Sequence, residues 1–267
     1  MKHNAVLTIA GSDSSGGAGI QADLKSFAAN GVYGASVITA ITAQNTTGVN
    51  AVEPLSKNIV KAQLDAVFSD LNIIGVKIGM VADKEIMEII AQTITAFQPK
   101  FVVIDPVMVS TTGHTLLAED QIEELKTILL PLALVITPNL EEAEVLMKQK
   151  VTSFEQMQDA AQKLAKEIGT KVLLKGGHIP LEQAGILKSI DVLSTGETFI
   201  RDWIETDSTH GTGCSLSAAI CANLSKGLSL EDAIKKGKDY VHQGITHSYK
   251  VGDGSNPIHH FYHYWEV

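Results

Sequence analysis

Short apolar runs, each stopped by glycine, aspartate or proline, alternate along this chain with stretches whose apolar residues recur at helical spacing. Residues 5–10 (AVLTIA) end at Gly11-Ser12-Asp13 and read as a buried first strand. After a glycine-rich turn, Ile20, Leu24, Phe27 and Ala28 follow a helical period, and Gly31 supplies the stop. The same reading gives strands at 37–42, 73–78, 101–104, 134–137 and 171–174, and helices at 59–68, 84–97, 141–148 and 154–168. Apolar strands alternating with amphipathic helices predict an α/β fold with a parallel sheet covered on both faces. Residues 187–203 alternate over a shorter period and predict one or two antiparallel strands at a sheet edge. Helices over 214–225 and 230–248 complete the pattern, and the aromatic tail at 258–265 is expected to pack on the body.

Polar residues and glycines gather just after the strand ends, where ligands bind in open α/β sheets. The chain has 267 residues, with no low-complexity tract, internal repeat or long linker. No stretch approaches the ~20 apolar residues of a membrane span. The run at 5–10 is too short for a secretory core and lacks a cleavage site, so a cytoplasmic location is expected. Cys214 and Cys221 would lie roughly 10 Å apart along one helix, too far for a disulfide. The net charge of −9 and the absence of basic clusters predict neither a nucleic-acid nor a membrane partner. A phosphate ligand must therefore be held by local means: backbone amides, single lysines and a metal ion.

Four segments carry chemistry. In Asp207-Ser208-Thr209-His210-Gly211-Thr212-Gly213-Cys214, the glycines leave successive N–H groups unshielded at the start of a helix. That combination suits an anion hole, although a G-x-G is also an ordinary helix-starting turn. Cys214, at a helix N-terminus, is expected to have a depressed pKa and to serve as general base or covalent nucleophile. The plainer reading of Cys214, and the one taken for Cys221, is a small buried hydrophobe. The turn at 11–23, with three glycines in four positions, allows close approach of a ligand but is neither a Walker A loop nor a dinucleotide fingerprint. Asp105 and Glu142 are candidate Mg2+ organisers, with helix capping or solvated charge as the alternative. Lys175, in Lys175-Gly176-Gly177-His178, offers a point charge to phosphate. The tail histidines lack the Cys or carboxylate company of a metal site.

Together these pieces resemble the hydroxymethylpyrimidine/phosphomethylpyrimidine kinases of thiamine biosynthesis, within the ribokinase-like superfamily. The matching segments are LTIAGSDSSGGAGIQADLKSF (7–27), SVITAITAQNTTGV (36–49), KIGM (77–80), VVIDPVMVSTTGHTLL (102–117), ITPNLEEAEVL (136–146), LLKGGH (173–178) and HGTGCSLSAAI (210–220). They span essentially the whole chain. The resemblance implies a single ribokinase-like domain over 1–267, a three-layer α/β/α fold with a central mostly parallel sheet. It implies an ATP- and Mg2+-dependent kinase, forming a homodimer, that phosphorylates a pyrimidine alcohol and its monophosphate. On this sequence it places Cys214 at the catalytic position, with Gly211, Thr212 and Gly213 as the anion hole. Asp105, Thr137, Asn139, Glu142, Lys175 and Thr209 are implied to face the nucleotide phosphates and magnesium. Gly11, Ala18, Asp23, Gln44, Met80 and Val107 are implied to surround the pyrimidine.

Gln44 offers both a donor and an acceptor to an aminopyrimidine edge. Related pyridoxal kinases tend to differ there, which favours pyrimidine over pyridoxal as substrate. Ser14 stands where many members have proline, expected to alter turn stiffness and not chemistry. Residues 181–187 fit the family pattern poorly and are expected to form a surface loop. Pyridoxal kinase is the nearest alternative function. A Cys214/His210 hydrolase and a non-catalytic nucleotide- or vitamin-binding module are remoter ones.

Overall fold

The structure is a computed structural model that describes residues 3–108, 117–177, 181–183 and 186–265. Its strands are β1 (Ala5–Asp13), β2 (Tyr33–Asn45), β3 (Gly48–Pro54), β4 (Ile73–Ile78), β5 (Phe101–Ile104), β6 (Val135–Ile136), β7 (Lys171–Lys175), β8 (Leu181–Gln183), β9 (Ile186–Leu193) and β10 (Thr198–Asp202). Its helices are α1 (Gly19–Ala29), α2 (Lys57–Asp70), α3 (Lys84–Phe97), α4 (Glu119–Ile128), α5 (Leu140–Met147), α6 (Phe154–Ile168), α7 (Thr212–Ser225) and α8 (Leu230–Thr246). The strands form one sheet in the order β10-β9-β7-β6-β5-β4-β1-β2-β3, with β8 paired to β9. β2, β1, β4, β5, β6 and β7 run parallel, whereas β3, β8, β9 and β10 pair antiparallel at the edges.

The central strands are apolar at successive positions because both faces are covered. Leu7, Val102, Ile104 and Leu174 pack with α2, α3, α5 and α6 on one side. Val6, Val103, Val135 and Leu173 pack with α7 and α8 on the other. This is the three-layer ribokinase-like architecture. Small residues let α7 lie close: Ser215, Ser217, Ala218, Ala219 and Ala222 are all buried. Among the described residues no helix is long and apolar enough to cross a membrane.

Three local expectations are corrected. The described part of 181–187 is not a loop, since β8 and the start of β9 pair there, Leu181 with Lys188 and Glu182 with Leu187. β3 was not anticipated; it is almost wholly exposed, so it has no buried face to produce alternation. α4 was also missed, although its Ile122 and buried Leu125 carry a helical spacing. Most of the 109–117 part of the family-like segment 102–117, and His178, lie outside the described residues.

Candidate active site

Six parallel strands deliver the chemistry-bearing residues to one end of the sheet. β5 ends at Asp105, and β6 runs into Thr137, Pro138 and Asn139. β7 ends at Lys175, which is bridged to Asn139. Asp105 Oδ1 accepts from Thr137 Oγ1 (2.9 Å) and from Lys175 Nζ (2.8 Å). Asp105 is 2 % exposed. Burial alone would raise its pKa, but Lys175, Lys77 and the Thr137 bond outweigh burial and lower it.

Glu142 sits in the first turn of α5 and closes a capping box. Asn139 N donates to Glu142 Oε2 (2.7 Å), and Glu142 N donates to Asn139 Oδ1 (2.8 Å). The capping reading is thus realised, yet the same carboxyl is buried, and burial lifts it to about 7 against the pull of Lys175. Asp105 and Glu142 share the Lys175 ammonium, and Lys77 adds a pull on Asp105. A divalent cation would supply the missing positive charge, so the donor set fits Mg2+, which uses one or two carboxylates and keeps waters. Among the described residues no group of three or more His, Cys, Asp or Glu forms a cage for a metal. The tail histidines have other partners: His259 Nε2 meets Trp265 O (3.0 Å), and His260 Nε2 meets Ser215 Oγ (3.1 Å).

The start of α7 lies against this cluster. A Cβ on Gly213 would stand 3.2 Å from Lys175 Nζ and 3.4 Å from Asp105 Oδ2. Gly211 has φ 75°, and a Cβ there would fall 1.8 Å from Gly17 O and 3.2 Å from Ala18 Cα. Two loops therefore interlock through glycines, the one after β1 and the one before α7. The N–H of Gly19, the first residue of α1, pulls the Cys214 pKa down, so the thiol stands near the N-terminal ends of two helices.

The expected depression of the Cys214 pKa is not found. Burial raises it to about 11, against the lowering by Lys77 and the Gly19 N–H. Desolvation of a thiolate here exceeds what one lysine and two helix ends return. Cys221 is buried on the same helix and raised further, as its plain reading requires.

Asp23 is wholly enclosed. Its carboxyl has no exposed surface, and its Oδ2 accepts from Thr8 Oγ1 (2.6 Å) and Lys77 Nζ (2.9 Å). Asp23 Oδ1 is buried with no hydrogen-bond partner among the described residues. Lys77, which sequence reasoning did not single out, is fully buried in β4. Burial would lower its pKa, but Asp23, Cys214 and Asp105 raise it above the ordinary lysine value, so it remains a fixed cation facing Cys214. A lysine inside the otherwise apolar IIGVKI run was the available signal.

The remaining sites fall as follows. Gly11 is pressed against Met80, whose Cε would be 2.5 Å from an added Cβ. Val107 follows β5, half-buried, its N–H donated to Asp105 O (2.8 Å). Thr209 is exposed; its hydroxyl meets Ser255 Oγ at 3.3 Å, and its carbonyl accepts from Thr212 Oγ1 at 3.0 Å. Its side chain therefore joins no contact of the Asp105–Lys175 cluster.

A second buried pair was missed entirely. Asp13 Oδ2 accepts from Gly17 N (3.1 Å), Ala18 N (2.8 Å) and His210 Nε2 (2.8 Å), and Oδ1 accepts from Ser15 N (2.8 Å). Burial would raise Asp13, but His210, Ser15 and Ala18 hold it well below the usual carboxylate range. Ser14 does more than relax a turn: its hydroxyl bonds both the N–H (2.8 Å) and the carbonyl (2.7 Å) of Gln44.

Unshielded backbone N–H groups at the start of α7, beside a lysine–aspartate pair at the strand ends of a ribokinase-like sheet, fit a phosphotransferase of that fold class. The comparisons agree. The family model described as phosphomethylpyrimidine kinase matches residues 13–259. The hydroxymethylpyrimidine/phosphomethylpyrimidine kinase of Rhizobium meliloti (strain 1021) is 50% identical over 266 residues, covering 97% of this chain and 98% of that protein. An ADP complex of Bacillus subtilis pyridoxal kinase superposes with a TM-score of 0.87 at 38% identity, covering 97% of this chain and 98% of that one. The Staphylococcus aureus pyridoxal kinase in complex with AMP-PCP and pyridoxal gives 0.87 at 34% identity, covering 100% and 96%. The chain belongs to the phosphomethylpyrimidine kinase family and is a kinase.

Proposed function

We propose that this chain, acting as one kinase domain over 1–267, transfers the γ-phosphoryl group of ATP to the hydroxymethyl oxygen of 4-amino-5-hydroxymethyl-2-methylpyrimidine. The same site then acts on the resulting monophosphate. The observation that carries the reading is that residues 211–214, at the start of α7, lie beside charged side chains. Lys175 and Asp105 flank Gly213 on one side, and Lys77 faces Cys214.

In this mechanism the backbone N–H groups of 211–214 hold the equatorial oxygens of the group in transfer. Lys175, fixed by Asp105, counters the charge that develops on them. Thr137 and Asn139 shape the nucleotide side, together with Thr209 through its carbonyl. Asp105 and Glu142 would hold Mg2+, which supplies charge neutralisation on the phosphates when bound. Gly11, Ala18, Met80, Val107 and Gln44 form the pyrimidine side, and Asp23 acts there only through Lys77. Cys214 takes the proton of the attacking hydroxyl. Its thiol is neutral at pH 7, so the reactive form is a small thiolate fraction, stabilised by Lys77 and the Gly19 N–H. A loose transition state tolerates this, because it needs little push from a base.

Pyridoxal kinase is the second reading. It is favoured by the structural neighbours that carry that name, and opposed by the donor–acceptor pair at Gln44. We place the protein in the cytoplasm. We take it to act as a homodimer. Mass spectrometry after incubation of the pyrimidine alcohol with Mg-ATP should show monophosphate first and diphosphate second. Monophosphate alone would remove the second step, and no phosphorylated pyrimidine would remove the reading.

A further inference from the structure

The amide of Gln44 lies between two groups whose hydrogens are already assigned. Gln44 Nε2 stands 3.3 Å from His210 Nε2, and Gln44 Oε1 stands 3.2 Å from Thr42 Oγ1. An ionised carboxylate only accepts, and Asp13 is held well below the usual carboxylate range, so His210 Nε2 must carry the hydrogen it directs at Asp13 Oδ2 (2.8 Å). Whatever the state of the other ring nitrogen, His210 Nε2 then has no lone pair for Gln44, so an amide NH2 there sets donor against donor, whereas an amide oxygen would share the N–H with Asp13. On the other side, the one hydrogen of Thr42 Oγ1 reaches either Ser12 O (3.0 Å) or Gln44 Oε1 (3.2 Å). Given to the nearer Ser12 O, it leaves only lone pairs for Gln44, and an amide oxygen there sets acceptor against acceptor. A half-turn of the amide removes both conflicts, since its two ends have nearly the same shape.

We infer that His210, anchored by Asp13, and Thr42, anchored by Ser12, fix Gln44 with Oε1 toward His210 and NH2 toward Thr42, and so dictate which ring edge the site accepts. The anchors are rigid. His210 is buried (4% exposed), and its ring occupies the space of a Cβ on Gly17, with Cδ2 2.2 Å from that position. Thr42 is buried in β2, and the Gln44 backbone is tied to Ser14. One lone pair of Oε1 and one N–H of the amide remain for the substrate. An aminopyrimidine satisfies them with its 4-amino group on the His210 side and N3 on the Thr42 side. A 4-oxo ring, with C4=O and N3–H, presents the reverse order and meets like against like at both atoms. His210 and Thr42 are thus specificity-determining positioning residues that act through Gln44.

This inference rests on the pyrimidine reading above, and one comparison separates the two. kcat/KM is measured for 4-amino-5-hydroxymethyl-2-methylpyrimidine and for its 4-oxo counterpart, in wild type, His210→Phe and Thr42→Val. Wild type should prefer the amino ring by about 10²-fold or more, because unmatched polar groups are strongly rejected. Each variant frees the amide to turn and should cut that ratio about tenfold or more, whatever happens to the absolute rate. A purely structural role lowers both rates together; a ratio unchanged within about threefold in both variants would overturn the inference. If His210→Phe fails to fold, Thr42→Val, which keeps the side-chain shape, decides alone. Wild type that phosphorylates both rings equally would sink the inference and spare the pyrimidine reading. Wild type that phosphorylates neither would overturn both.

Discussion

Between pH 8 and 9.5 the catalytic rate should report the ionisation of Cys214 almost alone. Desolvation puts the half-buried Cys214 thiol at about 11, so at pH 7 about one molecule in 10⁴ carries a thiolate. If that thiolate takes the hydroxyl proton, kcat/KM for the pyrimidine alcohol rises tenfold per pH unit while the pH stays well below 11. That amounts to about 30-fold between pH 8 and 9.5. The neighbouring charges are constant in this window. Lys77 and Lys175 are both raised above the ordinary lysine value despite burial, because Asp23 and Asp105 stand beside them. Glu142 titrates near 7, below the window. Steady-state rates at saturating Mg-ATP, taken on wild type and Cys214→Ala, make the test. The alanine variant should lose the slope and fall by about 10²–10⁴-fold at the upper end. A flat wild-type profile, or an alanine variant with the same slope and a rate within threefold, would refute proton removal by Cys214 and leave the thiol a positioning role.

Three further outcomes follow from the buried network. Lys77→Met leaves Asp23 wholly buried without its cation, where burial already raises its pKa, and should destabilise the fold by about 3–5 kcal/mol in urea titrations; a loss below about 1 kcal/mol would show that the pair carries little. Gly211→Ala places a methyl against Gly17 O at a residue with φ 75°, and should abolish turnover and lower the melting temperature. An active Gly211→Ala enzyme would mean that the two loops part easily.

Burial, with Lys25 and His259 nearby, lowers His260 to about 3. A base whose folded pKa is depressed stabilises above its unfolded value of ~6.5 and loses that stability as pH falls toward its folded value, here about 2 kcal/mol between pH 6.5 and 5. His260→Gln should lack that part of the acid slope, and identical slopes in the two proteins would remove His260 as its cause.

The sheet and most helices were legible because burial on both faces leaves unbroken apolar runs such as FVVI (Phe101–Ile104), and amphipathic helices keep their period, as in Phe154–Ile168. β3 left no trace, since an exposed edge strand needs no apolar face. The clustering of Asp105, Asn139 and Lys175 was legible because each lies at or just after a strand end. The Asp13–His210 pair joins residues 197 positions apart, and no local pattern announces such a contact. Cys214 shows a local rule losing to its surroundings: a helix N-terminus favours the thiolate, and the packing around it disfavours the charge more strongly. Asp23 was read as a ligand contact from its place in a motif, yet its partner is a lysine in β4 that only the folded sheet brings beneath it.

The most direct test of the account is ADP release with Mg-ATP, comparing kcat/KM for 4-amino-5-hydroxymethyl-2-methylpyrimidine and for pyridoxal in parallel. The account predicts efficient turnover of the pyrimidine, with pyridoxal at least about tenfold worse. Equal or better turnover of pyridoxal would contradict it and make the protein a pyridoxal kinase.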